Sequence, residues 1–107
     1  MAEWWHYLIA IPCAALLVNG IPHFVQGVSG HRFPTPFSGG AGTLDSPVRN
    51  VFWGAGNLIV GGLLLRTISG GLGSWLLVGE LVVIGVAFAA MLAAAFANPE
   101  RFGRKKG

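Results

Sequence analysis

Glu80 is the one carboxylate in an otherwise uncharged apolar run over residues 75–97. A carboxylate held in hydrocarbon is costly and by default marks a functional position. It escapes the cost by taking up a proton, by finding a partner or by facing water. That chemistry suits binding of a proton, an ion or a cationic ligand. The competing reading is a packed, hydrogen-bonded residue that fixes helix register. Asn57 is the polar residue expected nearest to it within the membrane, and Arg66 is placed to reach inward toward it.

A second cluster lies in the stretch NGIPHFVQGVSGHRFPTPF, residues 19–37. Asn19, His23 and Gln26 fall on one face of a helix, together with Pro12 and Ala15. His23 has two readings. It bonds a backbone carbonyl freed by Pro22, or it contacts a quinone, a lipid headgroup or a haem. His6 and His23 lie about 25 Å apart on one helix, too far to share a haem within one chain. His31 falls in a loop, with an interfacial role expected. No nucleophile elbow, zinc-protease helix motif or phosphate loop is present, so the reading leans away from an enzyme, and no cofactor or metal is assigned. Cys13 is alone, which excludes an internal disulfide and a cysteine-rich metal site.

The elements that carry these residues follow from composition. The chain has 107 residues, 53% hydrophobic and 10% charged. A soluble domain of this size has too little interior to hide so much apolar surface. Three hydrophobic segments, at about residues 4–28, 47–65 and 75–97, each reach roughly 28 to 37 Å as helices, enough to cross a bilayer core. Period-2 alternation is absent and the segments are too long for barrel strands. The expected fold is all-α: one integral membrane domain with three transmembrane helices.

Pro22 removes a backbone donor, so a kink is expected near Asn19 and Gly20. An inner loop over residues 29–46, rich in Gly and Pro, excludes regular structure. Asp45, Ser46 and Pro47 start the second helix. The short stretch SGGLGS makes helices two and three expected neighbours. Gly54, Asn57 and Gly61 share one face of helix two. Gly85, Ala89 and Ala93 form a ladder on helix three that continues to Ala97, and such small residues let helices approach closely. Asn98 and Pro99 end helix three before a basic tail over residues 98–107.

The net charge of +3 is concentrated at the end of the chain, in Arg101, Arg104, Lys105 and Lys106. A terminal basic cluster beside an apolar helix fits the positive-inside rule rather than nucleic-acid binding. With Arg32 and Arg49 on the same side and only Arg66 opposite, the N-terminus is expected outside and the C-terminus in the cytoplasm. Trp4, Trp5, Tyr7 and Trp75 then form one aromatic belt, and Phe33, Phe37, Trp53 and Phe102 the other.

In size, and in carrying a membrane glutamate, the chain resembles the small multidrug transporters. Those have four helices with the glutamate in the first; here three are expected, with Glu80 in the third, and no family is assigned. The functional expectation is a small protein of a bacterial-type inner membrane that acts by helix association, as a homo-oligomer or as an accessory subunit of a membrane complex. The alternatives are an oligomeric transporter or channel using Glu80, or a quinone- or haem-linked subunit using His23.

Overall fold

A computed structural model describes residues 2–38 and 43–97. The described chain is all-helical, with α1 at Trp4–Val28, α2 at Pro47–Thr67, a 3-10 turn at Ser69–Gly71 and α3 at Trp75–Phe96. All three long helices are long and apolar enough to cross a membrane. The tail and the Asn98-Pro99 stop lie outside the described residues.

α1 is continuous through Pro12 and Pro22. It ends further on, where Gly30 takes φ 80° and the amides of Gly30 and His31 return to the carbonyls of Gly27 and Gln26. This is the reciprocal C-terminal closure that favours glycine at the left-handed position. α2 opens as expected, with Ser46 Oγ accepting the Arg49 amide at 3.1 Å and Pro47 at the first helical position. It runs past Leu65 to take in Arg66 and Thr67.

α1 is the central helix. It packs against α2 along one side and against α3 on another, while α2 and α3 barely meet. This corrects the expectation that helices two and three are neighbours. The turn between them does not force them together: it folds over the first turns of α1, with Ile68 buried beside Ala10, Cys13 and Leu77. Its Gly71 sits against the His6 ring, whose Nδ1 accepts the Glu3 amide at 2.8 Å.

The α1/α2 seam is made of small and polar residues. Along α2 the buried positions are Asn50, Gly54, Asn57 and Gly61, spaced by four, three and four. They meet Gly20, His23 and Gly27 of α1, also buried. The backbones come close enough that a Cβ at Gly54 would lie 2.5 Å from the Phe24 amide nitrogen, and one at Gly27 2.6 Å from the Pro47 carbonyl oxygen. Cys13 fits the same seam and donates weakly to the Gly61 carbonyl at 3.5 Å.

Gly54 and Gly56 provide the matched test. Gly56 has open space around its Cβ position, whereas Gly54 faces backbone that cannot rotate away. Gly54→Ala is expected to destabilise the folded protein by about 1–3 kcal/mol through overpacking, and Gly56→Ala to be neutral or slightly stabilising. Thermal unfolding of both variants in the same detergent or lipid checks this; equal effects contradict the seam.

Candidate functional site

The site forms at the loop end of the seam, where polar residues replace glycine. Asn57 turns its Nδ2 back to the Trp53 carbonyl at 2.8 Å, which leaves its Oδ1 to accept from Asn19 Nδ2 at 3.1 Å. About two turns nearer the start of α2, Asn50 donates Nδ2 to the carbonyls of Phe33 at 2.7 Å and Ser46 at 3.0 Å. Both amide protons are thereby committed, so Asn50 Oδ1 is an acceptor and His23 Nδ1, 2.9 Å away, is the donor. The tautomer follows from this network: Nε2 is the uncommitted ring nitrogen, and an acceptor in the neutral ring.

The connection after α1 is a strap held across this end. Phe33 and Asp45 exchange backbone hydrogen bonds of 3.2 and 2.9 Å, an isolated antiparallel bridge. Thr35 Oγ1 donates to Asp45 at 2.5 Å and accepts the Phe37 amide at 3.1 Å. Asp45 also accepts from the Ser46 amide at 2.8 Å and pairs with Arg49 at 3.3 Å. The Thr35 hydroxyl, then the Ser46 amide and the Arg49 guanidinium, hold its carboxyl below the usual aspartate range against the opposing effect of burial.

Rings pack over the polar floor. Phe33 turns into the bundle, its centroid 5.2 Å from His23 and 4.6 Å from Phe96. It is half-buried against these rings. Phe37 is exposed and lies edge-on to Trp53 at 5.2 Å. Between these groups a pocket of about 240 Å³ is lined by Asn19, His23, Pro34, Thr35, Pro36, Trp53 and Phe96.

The site thus gathers Asn19, His23 and Asn57 from the sequence-derived candidates. Gln26 and His31 are not part of it. They bond each other at 2.9 Å on the exposed side of the α1 terminus. Pro12 is also exposed and lies off the seam. Gly54 and Gly61 pack inside the chain, against Phe24 and Leu17 of α1, and do not form an outward face. Gly85 makes ordinary contact with Val18, while Ala89 and Ala93 are exposed along the α1/α3 groove.

Glu80 lies apart from this cluster. Its expected partner Asn57 is bonded to Asn19 and to the Trp53 carbonyl, and among the described residues Arg66 forms no ion pair with it. One carboxyl oxygen, Oε1, is enclosed with no hydrogen-bond partner, a condition shared among the described side chains only by Trp53 Nε1.

Sequence reasoning missed Asn50, Thr35, Trp53 and Phe96 as site residues, and Gly20 and Gly27 as seam residues. Asn50 was within reach, because it continues the spacing of Gly54, Asn57 and Gly61 back by one step. The roles of Thr35 and Phe96 depend on how the strap and α3 lie on α1, which no local periodicity encodes.

No protein-family model matches the chain, and comparison with curated proteins and with solved structures finds no match. The site is therefore read from its own geometry.

Two outcomes follow. Asn50→Leu removes both donors to the strap and the acceptor for His23, and is expected to cost about 1–3 kcal/mol per buried group left unpaired. Limited proteolysis should then cut the strap faster than in the parent protein. Because Asp45 is held low in the folded state, its contribution is complete above the ordinary aspartate range and is withdrawn as pH falls through the lowered value. Strap protection should fall on acidification, and Asp45→Asn should remove that acid dependence.

Proposed function

We propose that the protein is an integral membrane component of a bacterial-type inner membrane that works by association through α3, as a homo-oligomer or as an accessory subunit of a larger membrane complex. The carrying observation is the bareness of α3. It is the most apolar and the least covered of the three helices, with 6% of its span buried against 28% for α1 and 22% for α2. Its Glu80 has an enclosed carboxyl oxygen with no hydrogen-bond partner among the described residues, a costly state in a membrane span. The outward side of α3 carries Ala87, Ala90 and Ala94, all exposed, and small residues suit close helix contact. This replaces the faces expected from sequence, since Gly54 and Gly61 are used inside the chain.

In the bilayer we place the N-terminus outside and the C-terminus in the cytoplasm, on the distribution of Lys and Arg. In this reading α1 bends at Pro22, which lacks the donor for its own turn. A cytoplasmic loop end puts the strap, Arg32 and Arg49 beside the inner headgroups.

Native mass spectrometry and crosslinking in lipid nanodiscs should show a defined oligomer or complex, weakened by Ala90→Trp. A lone monomer under all conditions contradicts the proposal. The same carboxyl supports a second reading, in which Glu80 titrates during transport. Glu80→Gln should then abolish pH-dependent flux into liposomes, and unchanged flux rejects that role.

A further inference from the structure

A second cavity adjoins the polar pocket. It is an apolar groove of about 260 Å³ between α1 and α3, walled by Val18, Ile21 and Pro22 on one side and Ala89, Leu92 and Ala93 on the other, with Phe96 at its end. Phe96 also lines the polar pocket and lies edge-on to His23, 6.2 Å between centroids. The two spaces therefore abut at one ring. The groove runs about 10 Å along α3 from Phe96 to Ala89, parallel to the acyl chains of a bilayer.

We propose that these two spaces form one binding site for a single uncharged amphiphile: a flat ring of the quinone or hydroquinone kind against His23, with its isoprenoid or alkyl tail in the α1/α3 groove. Among the described residues no Lys, Arg, Asp or Glu lines either space, which disfavours a charged head. The head space is walled by the rings of His23, Trp53 and Phe96, and by prolines, so it accepts a flat ring better than a branched glycerol ester. Its hydrogen-bonding character is set by the network beneath it. His23 Nδ1 is committed to Asn50, leaving Nε2 as an acceptor. Asn19 commits an amide proton to Asn57, leaving its Oδ1 as a second acceptor. Thr35 already donates to Asp45 and accepts from Phe37. Asn19 keeps a second amide proton, so the head space offers a donor as well as acceptors and takes either the hydroxyl or the carbonyl form of such a ring. The inference is independent of association through α3, because the groove lies beside α1 and not on the outward side.

The experiment uses the full chain in nanodiscs under anaerobic conditions, with decylhydroquinone as the probe and empty nanodiscs as the partition control. Saturable binding is expected, with decylquinone competing for the same site. Dioleoylglycerol, which offers a hydroxyl without a ring, should not compete. Ala93→Phe fills the groove from an exposed position away from the polar network, and should weaken binding while leaving thermal stability unchanged. Met91→Phe, also exposed on α3 but outside the groove, is the control and should bind as the parent does. Binding no greater than in empty nanodiscs overturns the site. So does an equal effect of Ala93→Phe and Met91→Phe. Failure of decylquinone to compete, or competition by dioleoylglycerol, overturns the head assignment and with it the proposal.

Discussion

The close approach of α1 and α2 governs the rest of the molecule. Two helices whose backbones nearly touch leave no room for side chains along the contact, so the seam is glycine where the helices are nearest. Polar side chains appear where they can bond across it or back to a carbonyl. In a bilayer this is a sound basis for association, because apolar side chains gain little over lipid while close packing and interhelical hydrogen bonds do. The Asn19 to Asn57 and His23 to Asn50 bonds are each possible only at this separation.

From the seam the consequences run outward. Asn50 fixes the strap through the Phe33 carbonyl and fixes the His23 tautomer through its oxygen, so one amide couples loop position to ring chemistry. The strap in turn delivers Phe33 and the 34–36 prolines over the site. α3 has a different relation to α1. It rests on one side through Leu77, Leu81 and Gly85, leaving a groove and an outward face. One side of α1 is thus closely packed and the other is open.

Much of the fold was legible in the sequence, and for a physical reason. Three long apolar runs separated by Gly and Pro admit few alternatives, and the Ser46-Pro47 start of α2 is a local signal that tertiary context does not override. The arrangement of the helices was less legible. A short turn between helices two and three suggested neighbours, but the turn folds onto α1 and spreads them apart. Gly20 stood out only as the place of a kink set by Pro22, whereas in the continuous α1 it also serves packing against Leu58 and Gly54. His23 and Asn19 stood out as polar residues in an apolar helix. Their partners did not, because Asn50 lies 27 residues from His23 and Asn57 lies 38 residues from Asn19. Glu80 was legible as an anomaly. That no described residue bonds its enclosed oxygen depends on Asn57 being spent elsewhere.

The most direct measurement is magic-angle-spinning NMR of the protein in lipid bilayers, with glycine labelled at Cα and phenylalanine at the amide nitrogen. The account predicts a through-space contact between Gly54 Cα and Phe24 N that disappears in Phe24→Leu. A folded, bilayer-embedded protein without that contact would contradict it.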